Sequence, residues 1–214
     1  ESKIKIINFG VDTEKFKPGQ KDKDLAQQLG ILGEKIVISL RNLDPIYGVG
    51  TFIEAVPLVL RKIPDVKFVI VGKGQQEQEL KEMVKKNRLE SKVLFLGFIQ
   101  NDDLPKYLRL SDVYVSTSLS DGGIASSTAE AMACGLPVVI TDNKDNSAWI
   151  QDGKDGFLVP VKNCEKLAER IINLLENEQQ RSEFGKIARG VIEERNDYRR
   201  EMEKMEQLYY QLIK

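Results

Sequence analysis

The chain has 214 residues, 41% of them hydrophobic and 30% charged, with a net charge of −1 and no histidine. That is enough apolar residue for one large domain or two small ones with a real core, and the near-cancelling charge argues against a bulk nucleic-acid binder. Two cysteines exclude a disulfide scaffold, and no apolar run approaches the roughly 18 residues of a membrane span, so a reducing cytoplasm is the expected setting.

The chain starts at Glu1 rather than a methionine and runs at once into KIKIINFGVD, which reads as a piece of a longer protein. Residues 1–34 are taken as a lead-in segment. Asp22-Lys23-Asp24 falls in its polar part rather than after a strand, so no metal site is expected there. From residue 35, short β-rich runs alternate with amphipathic ones. Strands are expected at 35–40, 66–72, 92–98, 112–118, 137–141 and 156–160. Between them, helices are expected at 49–63, 77–89, 101–110, 127–134 and, short, at 144–151, with Pro57 interrupting the first. Helices at 164–177, 178–195 and about 197–213 close the chain, the last with Met202, Met205, Tyr209 and Leu212 on one face. The charge run EERNDYRREMEK reads as a solvated helix face.

The strands are continuous apolar runs, as expected when helices cover both faces. The fold class is therefore α/β, a Rossmann-like doubly wound parallel sheet of about six strands. Ligands in such sheets sit beyond the carboxyl ends of the strands. That rule gathers Arg41, Gly72-Lys73-Gly74, Phe98-Ile99, the stretch Ser118–Ser126, and Thr141-Asp142 on one rim.

Asp121, Gly122, Gly123, Ile124, Ala125 and Ser126 form a glycine turn running into a helix, a suitable seat for a phosphate, although an ordinary strand–helix turn fits equally. Ser127 to Glu130 matches the capping box S-x-x-E, which needs no ligand. Arg41 is a candidate phosphate partner or a surface arginine in a salt bridge. Lys73 sits in a two-glycine turn that is not a Walker loop, and no G-x-G-x-x-G follows the first strand.

NFGVDTEKFKPG, ISLRNLDPIYGVGTFIEA, FVIVGKG, VLFLGFIQNDDLPKYL, SDVYVSTSLSDGG and AEAMACGLPVVITD, in that order, resemble the C-terminal domain of family 4 glycosyltransferases over nearly the whole chain. The resemblance implies the GT-B architecture of two Rossmann-like domains facing a cleft, this chain being the half that holds the nucleotide-sugar donor. It implies a retaining, metal-independent transferase of the hexosyl type needing no cofactor, with UDP mildly preferred and a carbohydrate or lipid-linked acceptor. Residues 35–195 would be the donor domain. Residues 196–214 would pack toward an N-terminal domain of the same protein, in a cytoplasmic enzyme or one peripheral to the inner face of the membrane.

By the same resemblance Asp121 would hold donor-sugar hydroxyls, Glu130 the ribose hydroxyls, and Arg41 the departing diphosphate. The amides of Gly122 to Ser126 would cradle that diphosphate, and Phe98 and Ile99 would line the base. The chain departs from the pattern twice. Eight residues rather than seven separate Asp121 from Glu130, and Tyr47 stands where a lysine is usual, which makes Lys73 the substitute phosphate partner. The fragment alone is expected to transfer no sugar. A nucleotide-sugar epimerase of the same architecture and a non-catalytic nucleotide-binding module are the alternatives; the absence of histidine counts against the first.

Overall fold

The apolar runs form β1 (Lys35–Leu40), β2 (Val66–Val71), β3 (Val93–Gly97), β4 (Val113–Ser116), β5 (Val138–Asp142) and β6 (Gly156–Pro160). All pair in parallel in the order β3-β2-β1-β4-β5-β6. The computed structural model describes residues 4–5 and 7–213. The parts of the two terminal segments at residues 1–3, 6 and 214 lie outside the described residues.

Alternate side chains along each strand feed two separate cores, as continuous apolar runs require. Val37, Phe68, Val115 and Val139 face one core with α2 (Val49–Leu60), α3 (Glu77–Lys86) and α6 (Cys164–Glu176). Ile36, Ile38, Tyr114, Val138 and Ile140 face the other. That second core is closed by α1 (Lys23–Gln28), α4 (Leu104–Leu110), α5 (Ser126–Ala133) and α7 (Glu178–Arg195). Successive crossovers leave in opposite directions from β1 and β4, which are neighbours, so the sheet opens a crevice beyond the carboxyl ends of those two strands.

Several local expectations are corrected. Helix α2 continues through Pro57 and ends at Leu60; the proline forfeits only the one bond that an N–H there would have given to the Ile53 carbonyl. Residues 144–151 shrink to a 3-10 turn at Asn146–Ala148, and a second such turn, Pro45–Tyr47, follows β1. Helix α1 is an addition, capped by Asp22, whose carboxylate accepts from the Leu25 amide. The first acid of the D-x-D triplet is thus a helix cap.

The acidic–basic run at the chain end is not one solvated face either. Helix α7 stops at Arg195, and α8 (Tyr198–Ile213) starts a new direction. Within the run, Asn196 and Glu201 are buried, because the lead-in segment lies over them. The Val11 amide donates to the Asn196 carbonyl at 2.8 Å, and the Tyr198 amide donates to the Val11 carbonyl at 2.9 Å. The Glu201 carboxylate accepts from the Asn8 amide at 2.9 Å. Along α8, Met202 and Met205 are half-buried while Tyr209 and Leu212 are exposed.

Helix α5 is short because Gly135, at φ +76°, reverses the backbone. The Gly135 amide bonds to the Met132 carbonyl and the Leu136 amide to the Ala131 carbonyl, a Schellman stop. That stop lies directly under α7, where Gly185 has no room for a Cβ because the Gly135 carbonyl stands in its place. Gly190, further along the same helix, faces open space. Two alanine substitutions in one helix should therefore act oppositely. Gly185→Ala is expected to destabilise the chain by roughly 1–3 kcal/mol through overpacking, whereas Gly190→Ala is expected to stabilise it by up to about 1 kcal/mol through helix propensity. Urea unfolding of the two variants measures both; equal effects would refute the close approach.

Candidate functional site

Arg41 is the first residue after β1, and its amide continues the sheet ladder to the Val71 carbonyl at 3.0 Å. Its guanidinium lies against the Tyr47 ring, 4.4 Å from the centroid. It donates to Ser118 Oγ at 2.8 Å and pairs with Asp121 Oδ1. Both side chains of the ion pair are nearly buried, Arg41 at 9% exposure and Asp121 at 2%. The other Asp121 oxygen accepts from Asn143 Nδ2 at 3.2 Å, while Arg41 Nε is buried with no partner among the described residues. A buried arginine with a spare donor, paired to one carboxylate, is set up to exchange that carboxylate for another anion.

Past Asp121 the backbone turns through Gly122 (φ +66°) and Gly123 (φ +121°) into α5. The residue preceding that helix is Ala125, which has no side-chain oxygen to offer as a cap. Ser127 and Thr128 have hydroxyls, but both are committed to the buried Tyr114 hydroxyl, at 2.9 and 3.4 Å. The capping-box expectation is therefore corrected: Glu130 does not reach back to the helix start but accepts from Asn101 Nδ2 at 3.2 Å. Gly122 donates its amide to Asp145 Oδ2 at 3.1 Å. Those of Gly123, Ile124, Ala125 and Ser126 find no protein acceptor among the described residues. Bare amides at a helix N-terminus, with the positive end of its dipole, attract an anion.

These groups share one cavity of about 710 Å³. Arg41, Asp121, Gly122, Ile124, Ala125, Ser126 and Glu130 line it, and Phe98 and Ile99 form its far wall. Burial raises the pKa of the Glu130 carboxyl above the ordinary carboxylate range; the hydrogen bond from Asn101 and the charge of Lys15 pull it part of the way back. Lys73 is not brought to the site. It is exposed, lies toward Gly97 at the end of β3, and does not line the cavity. Gly123 contributes to the turn but not to the lining.

Sequence reasoning missed Phe9, which reaches the same cavity from the lead-in segment, and the polar supports Asn143 and Asp145. Asn101 was missed as well, since nothing in NDDLPKYL marks its first residue as a partner for a helix acid twenty-nine positions away.

The chain matches the family described as Glycosyl transferases group 1 over residues 20–191. It is 30% identical to the spore coat protein SA of Bacillus subtilis over 221 aligned positions, covering 97% of this chain and 59% of that protein. Among solved structures, Anabaena HepE in complex with UDP and glucose superimposes with a TM-score of 0.87 at 26% identity, covering 96% of this chain and 56% of that one. The C-terminal domain of a glycosyl transferase group 1 family protein from Francisella tularensis, LpcC, superimposes with a TM-score of 0.76 at 27% identity, covering 86% of this chain and 96% of that domain. This chain thus spans a little over half the length of the Bacillus and Anabaena proteins and most of the Francisella domain. With its sheet order, its cavity and that family match agreeing over most of its length, the chain belongs to the glycosyl transferases of group 1.

Proposed function

We propose that this chain is the donor-binding half of a retaining glycosyltransferase, which moves a sugar from a nucleoside-diphosphate sugar to an acceptor hydroxyl. The observation that carries the reading is the convergence of Arg41, the bare amides of Ile124 to Ser126, and Glu130 on one cavity at the switch point of the sheet. The donor has three parts, and the cavity has a group for each. Glu130 accepts from the ribose hydroxyls beside the base, which lies along Phe98 and Ile99. Arg41 and the amides take the diphosphate. Asp121, released from Arg41 as the diphosphate arrives, faces the hydroxyls of the transferred sugar. UDP is the proposed nucleotide, in keeping with the UDP and glucose held by the Anabaena relative.

Bond cleavage at the anomeric carbon leaves negative charge on the diphosphate. Donors already in place at that position lower the barrier, because they need no reorganisation when the charge develops. The acceptor and the rest of the cleft are assigned to an N-terminal domain of the same protein. The exposed Tyr209 and Leu212 of α8 are proposed to pack against it. Titration of nucleoside diphosphates into the 214-residue chain, with donor turnover measured on the chain alone and on the longer protein, tests the reading. Binding without turnover is expected of the chain alone; sugar transfer by it, or no nucleotide binding at all, would sink the proposal.

Two variants separate binding from stability. Burial raises the Glu130 pKa, so its ionised form costs the folded state stability at neutral pH. Glu130→Gln removes that cost and replaces the charged ribose acceptor with a neutral one. It is expected to leave the melting temperature unchanged or raised, while nucleotide affinity falls about tenfold, the equivalent of one charge-assisted hydrogen bond. In the unaltered chain, affinity should rise with pH through the raised Glu130 pKa, and calorimetry should find that dependence absent from Glu130→Gln.

Ala125→Ser supplies the missing helix cap. It is expected to stabilise the fold by about 1 kcal/mol and to weaken nucleotide binding, because the new hydroxyl competes for the amides that a phosphate would use. Thermal melts and UDP titration of this variant give the two readouts; tighter binding would contradict the amide cradle.

A further inference from the structure

We propose that Lys15 and Asn101 form a positioning relay for Glu130, by which the lead-in segment orients the carboxylate that holds the nucleotide; the proposal rests on the ribose role given to Glu130 above. The root of the relay is fixed. Asp12 Oδ1 accepts the amides of Glu14 and Lys15, each at 3.0 Å, and its carbonyl accepts the Phe16 amide at 2.8 Å. Val11 and Phe16 on either side are buried in the core, and Val11 is bonded to the α7–α8 junction. Lys15 therefore leaves a tied-down loop.

The lysine ammonium donates to Asn101 Oδ1 and pairs with Asp102 Oδ1 at 2.6 Å. Asp102 is 95% exposed, so that pair is screened and weak; the contact with Asn101 is the one with a geometric consequence. An ammonium only donates, and a carboxylate only accepts. An amide bridging the two has one orientation that satisfies both, with Oδ1 toward Lys15 and Nδ2 toward Glu130. The lysine thus selects the face that Asn101 presents, and Asn101 fixes Glu130 Oε1 at 3.2 Å. The other Glu130 oxygen has no recorded protein donor among the described residues, which leaves it for a ligand hydroxyl.

Phe9, Lys15, Asn101 and Glu130 also border a second cavity of about 300 Å³, which shares Phe9 and Glu130 with the main one. The lead-in segment therefore forms part of the wall next to the nucleotide site. Lys15 is the charged group that faces Glu130 from a neighbouring element. On α5 itself, Cys134 lies one turn further on and stays a neutral thiol, burial pushing its pKa up to about 12. Arg109 and Arg189 are disposed around that cysteine.

The test is calorimetric titration of UDP and of GDP into the 214-residue chain and its Glu130→Gln, Asn101→Ala, Lys15→Met and Lys15→Arg variants, with the Asn101→Ala/Glu130→Gln double variant, across pH. Asn101→Ala and Lys15→Met should each weaken nucleotide binding about fivefold, the effect of one hydrogen bond. Both should also move the midpoint of its pH dependence upward, with Lys15→Arg restoring both. The double variant should bind no worse than Glu130→Gln alone, the signature of residues acting through one group. Additive losses, or an unmoved midpoint, would mean that the two side chains only hold a loop, and would overturn the relay. Unchanged binding in Glu130→Gln would overturn the ribose role first, and the relay with it.

Discussion

The hydroxyl of Tyr114 fixes the site. It is buried in β4 beneath the start of α5, and it engages the hydroxyls of Ser127 and Thr128 in the first turn of that helix. With Ala125 at the cap position, the helix begins with its amides unspent. A helix start left bare is unfavourable by itself, since each unmet donor forfeits a hydrogen bond. Here the loss is tolerated because the rest of the helix is well secured. Ala129, Ala131, Met132 and Ala133 are buried against the sheet, and a Schellman turn closes the far end. The packing of α5 thus carries a local defect, and that defect is the anion site proposed above.

The protein meets the resulting positive field with its own carboxylates. Asp121 holds Arg41, and Asp145 takes the Gly122 amide. A buried ion pair contributes little net stability, because desolvation offsets attraction, but an unpaired buried arginine is strongly unfavourable. In the proposed reading, a diphosphate entering the cavity would replace one arginine partner with another, so that the guanidinium is never left without an anion. That proposed exchange would free one oxygen of Asp121 for other donors while Asn143 holds the second. Tyr47 supports this arrangement without supplying a charge: its ring lies under the guanidinium and holds the plane of Arg41. Where a lysine is usual, the chain has a platform.

The terminal segments are part of the same mechanical unit. The lead-in chain is bonded to the α7–α8 junction through Val11, Thr13 and Asn8, and its next residues reach Asn101 beside the cavity. The hydrogen bonds that tie α8 to the lead-in segment thus lie a few residues from the side chains that border Glu130.

The amino-acid sequence by itself determined the sheet, since continuous apolar strands alternating with amphipathic helices admit few other arrangements. The strand ends then placed Arg41, Asp121 to Ser126, Phe98 and Ile99 on one rim, because in a parallel sheet every strand finishes on the same side. What it could not determine were the partners of each side chain. Ser127–Glu130 has the spacing of a capping box, yet a tyrosine thirteen residues upstream and an asparagine twenty-nine upstream take its two ends. Lys73 follows a strand as Arg41 does, yet its turn points it toward β3 instead of the cavity. Asn196 and Glu201 read as solvated until the lead-in segment folds over them. Periodicity and spacing are properties of a local backbone and can be read in order along a chain. Hydrogen-bond partners are chosen among all groups that packing brings within about 3 Å, and that choice is made only in three dimensions.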